Sequence, residues 1–328
     1  MSTDVASRGA PARPAPPALR ARLARIGAAG GLLLLLVFNV LFTEHFLSLQ
    51  TLAVNLSQVT TVVIVAVGMT LVIATGGIDL SVGAVMALAG TLAPLVFGAV
   101  PGPAGLALAF VLPLVVAWCC GWFNGLLVTR YAIQPIVATL VLFTAGRGIA
   151  QVATGGQLQT FVNPGFAWLG SGRVLGLPVQ ALLMLLVVAA AAWLLGRTVF
   201  GRQVVAIGSN RRAAALAGIA VGRVQRHVYA LSGALAGLAG LVVVALNSAS
   251  DANLNGLGME LDAIAAVAVG GTLLSGGRAS IVGTLLGALF IQLLRYTLLA
   301  HGVPDAAALV VKAVLIVLAV WLQRGAAR

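Results

Sequence analysis

The stretch Gly68-Met-Thr-Leu-Val-Ile-Ala-Thr-Gly-Gly-Ile-Asp-Leu-Ser-Val-Gly83 decides the fold. An apolar helix runs into Gly76-Gly77, a short polar turn carries Asp79 and Ser81, and a second glycine-rich apolar helix begins at once. In water such flanks would have no charged face to expose. The rest of the chain repeats the pattern. Apolar residues make up 61% of the 328, charged residues 8%, and the mean hydropathy is +1.10. A soluble domain carries about a quarter of its residues as Asp, Glu, Lys and Arg. Lipid accounts for the deficit, because it replaces water over most of the surface. The chain is therefore an all-α integral membrane protein.

A span needs about 20 apolar residues. The runs predict ten, at 27–43, 52–74, 81–100, 106–129, 133–153, 178–196, 227–247, 261–275, 281–300 and 307–322. Those at 81–100 and 261–275 are the weakest, being glycine-broken or short. Residues 1–26 form a basic cytoplasmic tail, disordered or interfacial. Residues 27–324 form one transmembrane domain, with 197–226 as a cytoplasmic loop. The first apolar run is followed by Phe42-Thr-Glu-His-Phe46, not by a small-residue cleavage site, so it reads as an uncleaved helix.

The net charge of +12 comes from 19 basic residues against seven acidic ones. Most of the arginines sit in the tail, in 197–226 and at the C-terminus, which is the placement of cytoplasmic loops and not of a nucleic-acid face. Ten crossings put both termini inside and the 197–226 loop inside. The same count puts Glu44, the 154–177 segment and the 248–260 segment outside. Cys119 and Cys120 lie within an apolar run and read as packing residues, and the three histidines lack ligand spacing. No phosphate-binding loop, metalloprotease or nucleophile-elbow motif occurs, so no catalytic set is predicted.

Small residues recur one turn apart in Gly121–Gly125, Gly233–Gly237 and Gly283–Gly287. Such faces suit close helix packing or a sliding contact. A loose internal similarity links the stretch from Gly68 with the one from Val267, each an apolar helix, a glycine break and a second helix. Both breaks fall inside by the count, so the likeness does not itself establish an inverted repeat.

Few polar side chains remain as candidates for a translocation path. Asp79 either caps the helix that follows it or lies near a path or gate. Asn124, Arg147, Gln151 and Arg295 lie within or at the ends of apolar helices, where a charge must pair, line water or snorkel. Arg147 and Gln151, four apart, share a helix face. Trp118, Trp122 and Phe143 could stack on the apolar face of a sugar, or pack and anchor helices. In 196–226, Asn210 could cap a short helix over Arg211, Arg212, Ala213 and Leu216, and Gly218 could end it. That helix would suit a groove in a partner, or the basic loop would rest on anionic headgroups.

Three segments resemble the permease subunits of bacterial ABC simple-sugar importers, the ribose and galactofuranose branch of the branched-chain amino acid and sugar permease family. They are Gly68–Gly83; Ala206–Ile219 with Tyr229-Ala-Leu-Ser-Gly233; and Leu261–Gly271 through Gly276-Gly-Arg278. The galactofuranose type is suggested further by Gly146-Arg-Gly-Ile-Ala-Gln151 and Asp251-Ala-Asn253. The resemblance, from about residue 45 onward, implies a type II-like importer fold with an inverted repeat of spans 2–5 and 7–10. It implies a second permease subunit, identical or different, in the plasma membrane. Two cytoplasmic ATPase domains would use the ATP and magnesium, and an external sugar-binding protein would deliver the substrate. Asn210–Gly218 matches the family's coupling helix. A branched-chain amino acid or nucleoside permease is an alternative of the same architecture, and an ion-coupled carrier is an alternative of a different one.

Overall fold

A computed structural model describes residues 17–304, 306–314 and 317. Its helices are α1 (Pro17–Phe42), α2 (Leu49–Ala74), α3 (Val82–Ala99), α4 (Pro103–Arg130), α5 (Pro135–Thr154), α6 (Pro164–Ser171), α7 (Val179–Arg197), α8 (Val199–Ser209), α9 (Arg211–Leu216), α10 (Val221–Asn247), α11 (Met259–Val269) and α12 (Ile281–Ala300). Residues 306–314 are helical as well. Four two-residue strands form two antiparallel pairs: β1 (Gln159–Thr160) with β4 (Ala249–Ser250), and β2 (Arg173–Val174) with β3 (Leu177–Pro178).

Seven of these helices (α2, α3, α4, α5, α7, α10 and α12) are long and apolar enough to cross a membrane. The apolar part of α1, Ala28–Phe42, is shorter. That helix also begins at Pro17, ten residues before the expected span, so 17–26 is helical. Residues 1–16 lie outside the described residues, as do Arg324, Arg328 and much of the expected 307–322 span.

The expected span at 261–275 is not formed as such. Its helix, α11, has 11 residues, about 16 Å, and Gly270-Gly271 ends it. Gly271 takes φ +80°, a conformation that glycine adopts without strain, and turns continue to Gly277. Hydropathy counts straight through such a break because glycine and threonine are nearly neutral to it.

α2 is the central post, buried from Val59 to Ala74, and α10 packs against it. α10 also packs on α3 and α4, while α2 packs on α11 and α12; α3 meets α4 as α11 meets α12. Glycines allow the closest of these contacts. A Cβ at Gly233 of α10 would strike the Ala117 carbonyl and lie 2.9–3.0 Å from the backbone of Gly121 on α4. Gly287 of α12 packs as tightly on the Gly270 amide, which a Cβ would approach to 2.9 Å. Membrane helices gain little from mutual burial of apolar surface, so this proximity of backbones is what dispersion forces require. The glycine pairs are thus packing faces.

Contacts sort the connections into two ends. At one, Ser209 Oγ donates to the Gly277 carbonyl (3.4 Å), the Gly277 amide donates to the Ala74 carbonyl (3.1 Å), and Ile133 packs with Ala214 and Val224. The two similar glycine breaks therefore touch each other. At the other end β1 joins 159–160 to 249–250, and Thr43 Oγ1 lies 3.2 Å from His301 Nε2. The 197–226 arginines all belong to the first end.

Candidate functional site

Two connections turn into the bundle from opposite ends. Residues 75–81 rise from the arginine-rich end. Asp79 bonds Ser232, which lies 11 residues, or about 16 Å, along α10 from Val221. Residues 248–258 descend from the other end and are held by Arg147, seven residues, about 10 Å, short of the end of α5. They meet where α3 and α11 begin. A Cβ on Gly83 would overlap the Gly256 carbonyl and sit 2.6 Å from Glu260 Oε2. Two helix N-termini thus face one another inside the protein. The dipoles of the two helices favour negative charge there, and Asp79 and Glu260 supply it.

Asp79 is 1% exposed and accepts three hydrogen bonds. Oδ1 takes the Ser81 amide (3.0 Å) and the Ser81 hydroxyl (2.7 Å), and Oδ2 takes the Ser232 hydroxyl (3.0 Å). The carboxylate closes the turn two residues ahead, an Asx turn, and does not bond the second or third amide of α3 as a cap would. Asn124, fully buried on α4, donates to Ser81 Oγ at 2.8 Å and extends the knot. Leu80 N donates to Thr139 Oγ1 of α5 (3.1 Å). Three helices, α4, α5 and α10, are tied to one turn.

Arg147 and Gln151 share a face of α5 with Phe143, which is half-buried. Arg147 donates from one terminal nitrogen to the carbonyls of Ala252 (3.0 Å) and Asn253 (2.9 Å), and from the other to that of Asn255 (3.1 Å). Gln151 Nε2 donates to Asn253 Oδ1 (2.9 Å), and Asn253 Nδ2 to the Gly156 carbonyl (3.1 Å). A planar guanidinium serves a turn of carbonyls well, because its donors splay in one plane. Here, then, the arginine within a span pairs with backbone.

Trp118 and Trp122 of α4 stack on each other at 5.3 Å, with Arg226 over the Trp122 ring (5.3 Å) and His227 edge-on to it. This cluster is on the arginine-rich flank, with Arg226 and His227. Arg295 lies on α12 beside a second ionic group that sequence reasoning missed, the pair of Lys312, the chain's one lysine, with Asp262. Ser232 and Glu260 were missed as well. A carboxylate in the first turn of a weak span was the available signal for Glu260.

At the arginine-rich end Asn210 Oδ1 accepts the Ala213 amide (3.0 Å) and opens the six-residue α9. Arg211, Arg212 and Ala213 are exposed, Leu216 is 91% exposed, and Gly218 turns the chain at φ +81°. Ala214 anchors the helix to the bundle, and an apolar tip with a basic flank faces outward.

An all-α bundle of membrane-length helices with inward-turning breaks and an exposed basic helix is the build of a transport subunit. The chain belongs to the family described as branched-chain amino acid transport system / permease component, matched over residues 51–320. It is 44% identical over 271 residues to the galactofuranose transporter permease protein YtfT of Escherichia coli K12, covering 82% of this chain and 78% of that one. With the ribose import permease protein RbsC of Bacillus subtilis 168 it shares 42% over 303 residues, 92% of each chain. The fructose import permease protein FruF of Bifidobacterium longum is 33% identical over 305 residues, 89% of this chain and 85% of that one. No solved structure matches the chain.

Proposed function

We propose that this chain is the permease subunit of an ATP-driven importer and forms the path for a simple sugar, a pentose or hexose of the ribose or galactofuranose kind. The observation that carries the proposal is its 42–44% identity, over most of its length, to import permeases named for those two sugars. ATP hydrolysis then belongs to separate subunits, and an external binding protein delivers the sugar. α9 is the part that reaches the ATPase, its exposed Leu216 entering an apolar cleft and Arg211 and Arg212 meeting acidic groups around it.

The architecture we infer has ten membrane segments, α11 being a half-length one, with both termini cytoplasmic and residues 27–324 as one domain. The two ends of the bundle support this sidedness. They hold the same sets of connections that the ten-crossing count assigns to inside and outside. An inverted repeat of segments 2–5 and 7–10 accounts for the packing, since exchanging α2 with α10, α3 with α11 and α4 with α12 returns the same helix pairs. Exposed Ile136, Val137, Leu140, Val141 and Ile149 on α5 would meet the second permease subunit. The path would then run along α5, past Arg147, Gln151 and the carbonyls of 252–255, whose polar backbone suits sugar hydroxyls.

Co-purifying the permease with its ATPase and binding protein, and measuring ATP hydrolysis across a panel of sugars, branched-chain amino acids and nucleosides, tests the reading. Stimulation by a pentose or hexose is expected. Stimulation by an amino acid or nucleoside alone, or uptake driven by an ion gradient without ATPase, overturns it.

A further inference from the structure

Between Asp79 and Asp251 the chain has no carboxylate, yet it places nine arginines there, six of them in 197–226. The 197–226 arginines therefore have no carboxylate in their own loop. At this end a cleft of about 380 Å³ opens between α4, α7, α8 and α10. Leu194, Leu231, Phe200 and Trp118 form its apolar walls, and Arg223, His227 and Gln203 also line it. No acidic side chain lines it.

The lining is held in place. Trp118, 39% exposed, stacks on Trp122, and Trp122 is fixed on its other contacts by Arg226 and His227. His227 Nδ1 donates to the Arg223 carbonyl at 2.8 Å, which ties the two basic residues into one helical turn. α8 buries Val204 and Ile207 against the bundle and exposes Arg202. Exposed Trp193 on α7 adds the aromatic anchor expected at headgroup depth.

We propose that this cleft binds one anionic phospholipid of the leaflet at the arginine-rich end. The phosphate rests on Arg223 and His227, Gln203 donates to the headgroup, and an acyl chain lies against Trp118, Leu194 and Leu231. Charge complementarity selects the occupant. A basic pocket between membrane helices attracts anionic headgroups, and its apolar walls suit an acyl chain. The proposal does not depend on which solute is carried.

Native mass spectrometry of the full-length chain in detergent tests it, with phosphatidylglycerol and phosphatidylcholine of matched chains as probes. The wild type should retain one phosphatidylglycerol and little phosphatidylcholine. Arg223→Ala should reduce retention roughly fivefold, the worth of one basic residue near an anionic surface, while Arg223→Lys keeps most of it. Trp118→Ala should weaken both lipids, and Arg212→Ala, outside the cleft, should change neither. Equal retention of the two lipids by the wild type overturns the proposal. So does a loss with Arg212→Ala equal to that with Arg223→Ala. Should Arg223→Ala fail to fold, a photoreactive phosphatidylglycerol on the wild type decides. Crosslinks at Trp118 or Phe200 support the site, and crosslinks only elsewhere refute it.

Discussion

Replacing Asp79 separates a structural carboxylate from a transporting one. In Asp79→Asn the amide oxygen can take the place of Oδ1 and keep both bonds from Ser81. The amide nitrogen then occupies the place of Oδ2, and the Ser232 hydroxyl turns to accept where it had donated. Every bond survives, so the change should cost under about 1 kcal/mol. Asp79→Ala removes the acceptor from three buried donors. Ser232 can recover by bonding the carbonyl one turn back on α10. The Ser81 amide and hydroxyl cannot, and two orphaned donors at about 1–3 kcal/mol each, partly relaxed, give a loss of about 2–4 kcal/mol. Melting of the purified permease in detergent and sugar uptake by the reconstituted importer are to be measured on the same preparations. We expect Asp79→Asn to melt and transport close to wild type, and Asp79→Ala to melt earlier and express poorly. A stable Asp79→Asn protein without uptake would refute the reasoning, because only the lost charge could then explain it. An Asp79→Asn protein as unstable as Asp79→Ala would refute the hydrogen-bond count.

Other outcomes follow from the same geometry. Gly233→Val should push α10 off α4 at a cost of about 1–3 kcal/mol or more and lower the folded yield, whereas Gly98→Val, with open space around its Cβ, should not; size-exclusion profiles compare them. Arg147→Ala should free residues 252–255 and raise their protease sensitivity, and Arg147→Lys should not rescue it, since one ammonium cannot serve three carbonyls in a plane. Gly218→Val has space but the wrong φ, a strain of about 1–3 kcal/mol; uptake and ATPase stimulation should fall with abundance unchanged. With Cys119 and Cys120 replaced, single cysteines at Thr160 and Asn253 should label from outside intact cells and one at Ser209 should not, all three positions being exposed.

Much of this molecule is legible in its apolar runs. They place all seven membrane-length helices, and the Asn210 cap and the Gly218 turn are read from local chemistry that needs no partner. Arg147 and Gln151 are placed on one face by their spacing alone. What they bond is not, because the acceptors lie 102–108 residues away in a segment whose polarity suggests a solvated loop. The same limit hides Ser232, 153 residues from Asp79.

The deeper reason is that polarity in a membrane chain has two causes. A loop is polar because it reaches water. A break inside the bundle is polar because its amides and carbonyls have left the helix and need partners, and in hydrocarbon those partners must be protein. Residues 75–81 and 248–258 carry the second kind of polarity. Asp79 and Arg147 supply what each turn lacks: an acceptor for the donors around Ser81 and donors for the carbonyls of 252–255. Hydropathy cannot tell the two causes apart; a carboxylate beside a helix start marks the first break in sequence, whereas the guanidinium that serves the second lies more than 100 residues away and is brought to it by the fold.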